Sequence, residues 1–287
     1  MNPGLWGAVC AVNLGCADFM ARFTTRGVGA ANVLFAVMSI GAVILTGWIW
    51  LTDPVLVWDL SGLWLVILNG GATAVMTLLL YQALARGPVS IVAPIVASHP
   101  ALVVLFWVAM GSRPDALQWA AMGVTVLGAV LVARSAGGFA ASGGYTREHL
   151  RKTIGIAGAA SVVYAVLVVA GQAAVPIYGE LQTLWLGRWV GIATILLVFT
   201  AQRRAPSLPL RWWPLIGVQS LLDATGYLAL FAGSRGEGWE IAAVAASAFG
   251  AITTILARIF LRENMGPVQW IGVAFVFLGV GVLSAGG

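Results

Sequence analysis

Asp223 interrupts an apolar stretch, between Leu221-Leu222 and Ala224-Thr225. An acid at the centre of a bilayer costs ~2.5–3.5 kcal/mol on insertion scales, so it must face water, a partner or a ligand amine. Gln219 and Tyr227 flank it at intervals of four residues, a spacing that keeps side chains on one helical face. Asn69, Thr73, Thr77 and Tyr81 form a second stripe at the same interval. Such stripes are either two walls of one cavity or hydrogen-bonded seams between helices, the latter worth ~0.6–2 kcal/mol per contact. Asn13 and Tyr164 lie at mid-span and offer hydrogen bonds to an amino or carboxylate group. His99, between Ser98 and Pro100, can bind a carboxylate, shuttle a proton, or bond a carbonyl that Pro100 frees. Asp18 and Arg22, four residues apart, read as an ion pair on one helix surface. The expected substrate-binding set is Asn13, Thr73, Thr77, Tyr81, His99, Tyr164, Gln219, Asp223 and Tyr227.

Other chemistries lack their residues. No His, Cys and acid cluster has metal-ligand spacing, so neither a metal nor a cofactor is expected. There is no His-Glu-x-x-His, and the single lysine, Lys152, follows Arg151, so no phosphate-binding loop exists. An enzyme and direct ATP drive are therefore set aside. Cys10 and Cys16, six residues apart on one helix, cannot bridge without breaking it, and read as packing residues.

The elements that must position these side chains are apolar helices. Hydrophobic residues make up 60% of the 287-residue chain and charged residues 9%, too little charge to cover a soluble domain. A helix needs roughly 20 apolar residues to cross the hydrocarbon core. Ten stretches qualify, near 4–23, 31–50, 62–85, 88–110, 115–134, 155–175, 181–201, 212–233, 239–261 and 267–285. Met1-Asn2-Pro3 has no basic run after it, so the first stretch reads as a permanent span and not a signal peptide. The formal charge of +5 lies mostly in short loops, which sets nucleic acid aside as a partner. The expected partners are the lipid bilayer and a small-molecule substrate, with a monomer as the expected unit. Pro94 and Pro100 should bend the fourth span.

The second half of the chain reads as a rewritten first half. At an offset of 149 residues, Ala83, Arg86, Gly87, Ala93, Ala97, Ser98 and Arg113 meet Ala232, Arg235, Gly236, Ala242, Ala246, Ser247 and Arg262. After a two-residue shift, Gln118, Trp119, Leu127 and Gly128 meet Gln269, Trp270, Leu278 and Gly279. Five spans per repeat make the second copy enter from the opposite side, which places a solute site near the midplane between the halves. The expected architecture is all-α and integral to the membrane: ten transmembrane helices in two inverted five-helix repeats. The first repeat is 1–134, the second 154–287, and the polar segment 135–153 is their linker. Loops after the odd-numbered spans, with their helix ends, hold twelve of the fifteen basic residues, while Arg113, Arg188 and Arg235 fall on the other side. Basic residues stay cytoplasmic, so both termini are expected outside.

Two segments carry a family resemblance. Ala83-Leu84-Ala85-Arg86-Gly87-Pro88-Val89-Ser90-Ile91-Val92-Ala93-Pro94 resembles the turn from helix 3 into helix 4 of the drug/metabolite transporter superfamily in its ten-helix, EamA-like form. Phe260-Leu261-Arg262-Glu263-Asn264, followed by Gln269-Trp270-Ile271-Gly272, resembles the family's turn from helix 9 into helix 10. The resemblance covers the whole chain, and within the superfamily the chain is similar to amino-acid exporters of the YddG type. It implies a secondary transporter in a bacterial inner membrane that exports small metabolites, amino acids foremost, by alternating access. The alternative is a multidrug exporter of lipophilic cations. The chain departs from the family at Gly111-Ser112-Arg113-Pro114, where an acid is usual, and in the first span, whose only acid is Asp18.

Overall fold

The computed structural model describes residues 3–111, 115–141, 145–233, 246 and 248–285. Described elements are numbered here in chain order: α1 Pro3–Val28, α2 Ala30–Thr52, α3 Leu63–Arg86, α4 Val89–Ala97, α5 His99–Ala109, α6 Ala116–Ala141, α7 Arg147–Ala201, α8 Trp213–Gly233, α9 Phe249–Phe260 and α10 Pro267–Ala285. No strand occurs among the described residues. By length and composition, four stretches among them can cross a membrane: Ala30–Thr52, Leu63–Arg86, Ala116–Arg134 and Arg147–Ala201. The first part of the ninth expected span, 239–245, and the repeat positions Arg113, Arg235, Gly236, Ala242 and Ser247 lie outside the described residues.

The chain reverses where its residues tolerate it. Gly29, at φ 94°, separates α1 from α2, a conformation a Cβ would disfavour. α7 holds the sixth and seventh expected spans as one element of 55 residues, turned at Gly179, whose φ of 72° and ψ of 169° are not helical. The fourth expected span is broken at Ser98 into α4 and α5. Pro94 stays inside α4, and Pro100, at the start of α5, lacks an N–H that the first turn would leave unbonded in any case. Helix also occupies most of 135–153, since α6 runs to Ala141 and α7 begins at Arg147. The Thr146 hydroxyl accepts from His149 N at 3.1 Å and caps α7.

Helices of one half pack mainly on helices of the other. α1 lies on α8 and α9, α3 on α7, and α6 on α10. The α6–α10 crossing has its own symmetry. A Cβ on Gly128 would meet Gly272 O and Val276 N, both at 2.6 Å; a Cβ on Gly279 would meet Ala121 O at 2.6 Å and Thr125 N at 2.8 Å. The 151-residue offset that aligns Gln118-Trp119 with Gln269-Trp270 exchanges one set of contacts for the other. Glycine here lets backbones touch where lipid supplies no hydrophobic drive between helices.

One end of the bundle is tied by polar groups. Arg22 donates to Leu84 O and Gly87 O, and Arg26 donates to Ala85 O at 2.9 Å. His149 Nε2 donates to Arg86 O at 2.9 Å. These contacts satisfy carbonyls at the C-terminus of α3, which its own helix cannot. Arg22 therefore turns to α3 and not to Asp18, a correction to the expected surface pair. Glu263 accepts from Val89 N and Ser90 N, each at 2.9 Å, and so caps α4 from the α9–α10 turn. Both arginines also bond the Tyr145 hydroxyl at 3.3 Å. Burial raises the Tyr145 pKa, but these bonds and the arginine charges outweigh burial and hold it below the ordinary phenol range.

Candidate functional site

α8 carries the site because its stripe of Gln219, Asp223 and Tyr227 packs on other helices, Gln219 on α1 and α3 and the other two on α7. Gln219 is fully buried, and its amide bridges two helices of the first half. Its Nε2 donates to the Tyr81 hydroxyl of α3 at 2.8 Å, and its Oε1 accepts from Thr24 of α1 at 2.9 Å. One turn further, Asp223 accepts from Nη2 of Arg188 on α7, forming a buried ion pair. The Arg188 side chain is 1% exposed and that of Asp223 13%. A further turn along, Tyr227 lies under the guanidinium, 5.6 Å from ring centroid to Cζ, a cation–π contact.

The cluster continues into α4, α5 and the first part of α7. The hydroxyls of Tyr227 and Tyr164 are hydrogen-bonded to each other. Tyr164 stacks on His99, with centroids 3.8 Å apart and planes 8° from parallel. Phe249 closes this aromatic wall, 6.1 Å from Tyr164 and 6.4 Å from His99. His99 Nδ1 bonds Val96 O at 3.2 Å, which requires the proton on that nitrogen because a carbonyl only accepts. Asp18 of α1 is within electrostatic range of Asp223 and makes no ion pair among the described residues.

The structure thus brings together Tyr81, His99, Tyr164, Gln219, Asp223 and Tyr227. It places the other expected residues differently. Thr73 donates to Asn69 O of its own helix at 2.7 Å, and Asn69 donates to Leu167 O of α7 at 2.8 Å. Thr77 is buried within α3, one turn from Tyr81. Asn13 is half-buried on α1, its Cβ 3.4 Å from where a Cβ on Gly226 would sit.

Arg188 escaped sequence reasoning. The charge count groups it with Arg113 and Arg235, but its side chain is fully buried inside the bundle. The available signal was electrostatic. A buried acid needs a partner, and Arg188 is the one basic residue well inside the stretch 181–201. Thr24, just past the first apolar stretch, and Met38, within the second, carry no signal of their own in the sequence.

A cation and an anion held side by side against aromatic rings can bind a small solute bearing both charges. Among the described residues no group of three His, Cys, Asp or Glu is placed to hold a metal ion.

The model of the EamA-like transporter family matches residues 2–134 and again residues 151–285. No curated protein matches the chain. A solved crystal structure of a protein aligns over 95% of this chain and 95% of its own, with a TM-score of 0.62 and 19% identity. That likeness shows the fold alone.

Proposed function

This chain belongs to the EamA-like transporter family of the drug/metabolite transporter superfamily, whose members are integral membrane transporters of small molecules, and from that premise we propose that it exports small zwitterionic metabolites, amino acids foremost, as the YddG-type exporters do. The observation that carries the substrate class is the Arg188–Asp223 pair, buried between helices of the two halves and roofed by Tyr227. A lipophilic cation would meet an acid already neutralised by arginine. A zwitterion offers each member of the pair a replacement partner. This weighs against the multidrug alternative.

In this reading ten spans form two inverted repeats, 1–134 and 154–287, joined by 135–153. The halves rock about the cluster and expose it to each side in turn. The exchange symmetry at Gly128 and Gly279 supports the repeat. Tyr81, His99, Tyr164, Gln219, Asp223 and Tyr227 line the substrate path, with Asn13, Thr73 and Thr77 along its walls. The membrane is a bacterial inner membrane, and both termini face outward.

The test is counterflow in proteoliposomes of purified protein, using the standard amino acids in labelled form, with tetraphenylphosphonium as the lipophilic cation. Accumulation of at least one amino acid is expected. Movement of tetraphenylphosphonium with no amino-acid flux would replace this reading with the multidrug one.

A further inference from the structure

One acid inside the bundle has nothing to hold. Among the described residues Asp18 makes no hydrogen bond and no ion pair. Arg22, four residues on, is engaged by Leu84 O, Gly87 O and the Tyr145 hydroxyl. Arg188 is committed to Asp223. A carboxylate in an apolar helix is costly unless water, a partner or a ligand answers it, so an acid kept without a partner marks a solute path.

The pattern of α1 shows where Asp18 looks. Ala11, Leu14, Ala21 and Thr25 are buried. Asp18 completes their stripe, whose intervals of three and four residues describe one helical face. The exposed side chains Leu5, Val12 and Phe23 lie on the opposite side of the helix. Asp18 alone in the stripe keeps partial exposure, so it borders space inside the bundle and not lipid. α1 and α8 touch at Leu14 and Gly226, and again at Thr24 and Gln219. Asp18 lies between those contacts on one helix and Asp223 between them on the other, which sets the two acids at one level. Asp18 is also within electrostatic range of Asp223, Tyr81, Tyr164 and Tyr227.

We infer that Asp18 is the subsite for the substrate's ammonium group. The inference rests on the transport reading above and deepens it. Two carboxylates share one guanidinium, so the cluster is one positive charge short. An ammonium supplies that charge, together with three N–H donors that a carboxylate accepts as charge-assisted bonds. The subsite therefore selects solutes with a cationic nitrogen over acids of the same side chain.

The experiment measures affinity by calorimetric titration of the purified full chain in detergent. The ligands are the amino acid with the largest counterflow, its decarboxylated amine, and its des-amino acid, which keeps the carboxylate and the side chain. In wild-type protein the des-amino acid should bind about tenfold or more weakly than the amino acid, the worth of a charge-assisted hydrogen bond. Asp18→Asn keeps the shape and deletes the charge. It should weaken the amino acid and the amine about tenfold or more and leave the des-amino acid unchanged. Without ligand, Asp18→Asn should unfold at a Tm no lower than wild type, because it loses an unpaired charge and no bond. An unchanged amino-acid affinity in Asp18→Asn, an equal loss for all three ligands, or a lower Tm overturns the subsite while amino-acid flux preserves the transport reading. A des-amino acid that binds wild-type protein as tightly as the amino acid does the same. Absence of amino-acid flux, with or without movement of tetraphenylphosphonium, removes both.

Discussion

Removing one member of the Arg188–Asp223 pair should destabilise the protein more than removing both. Asp223→Asn keeps the shape and an acceptor oxygen but deletes the charge, leaving a guanidinium that is 1% exposed beside a neutral amide. Two unit charges ~4 Å apart attract by about 4 kcal/mol at an effective dielectric near 20. Breaking a buried pair from one side costs about 3–5 kcal/mol, because the remaining charge stays desolvated. The Asp223 side chain is 13% exposed, against 1% for Arg188, which places this pair at the lower end, about 3 kcal/mol. Arg188→Met should cost a similar amount by stranding the carboxylate. The double variant holds no buried charge and should return to within about 1 kcal/mol of wild type. At about 2 °C per kcal/mol for a chain of this size, each single variant lowers Tm by about 6 °C and the double by about 2 °C. Thermal unfolding of all four proteins in one detergent gives the cycle. Additive losses, with a coupling below about 0.5 kcal/mol, would mean that the pair is not buried and would refute the reasoning.

Four further outcomes follow from other parts of the fold. Gly128→Ala drives a Cβ to 2.6 Å from Gly272 O and Val276 N and should cost about 1–3 kcal/mol in thermal unfolding, whereas Gly281→Ala, with nothing within 4 Å, should be neutral. Glu263→Ala strips the cap from α4 and should cost about 1 kcal/mol, with Glu263→Gln between it and wild type. Tyr145→Phe should destabilise more in alkaline solution than at neutral pH: a depressed pKa stabilises the fold fully above the ordinary phenol range, and that contribution disappears as pH falls through the lowered value. In intact cells lacking the native cysteines, single cysteines at the chain ends should label from outside and Ser142→Cys should not; the opposite pattern inverts the orientation and leaves the fold intact.

Much was legible before any coordinates. Apolar run length dictates helix, because every backbone polar group in lipid must be satisfied within its own segment. The four-residue spacing of Gln219, Asp223 and Tyr227 put them on one face, and the cost of an acid in an apolar helix marked Asp223 for a partner. The offset between Gln118-Trp119 and Gln269-Trp270 announced a repeat, and the family match covers both halves. Those signals are local or periodic, so one dimension contains them.

Only the tertiary structure decided which groups meet. Asp223 finds its partner 35 residues back on α7, and Arg22 passes over the acid one turn away to reach carbonyls 62 and 65 residues ahead. The choice depends on which helix faces touch, and the glycines at each crossing set how closely they do so. Thr73 and Asn69 show the same limit from the other side. Their spacing matches that of Tyr81, yet Thr73 bonds its own helix and Asn69 a carbonyl of α7, while Tyr81 reaches Gln219. Periodicity fixes the face a side chain occupies; what lies opposite that face is fixed by packing between segments far apart in the chain.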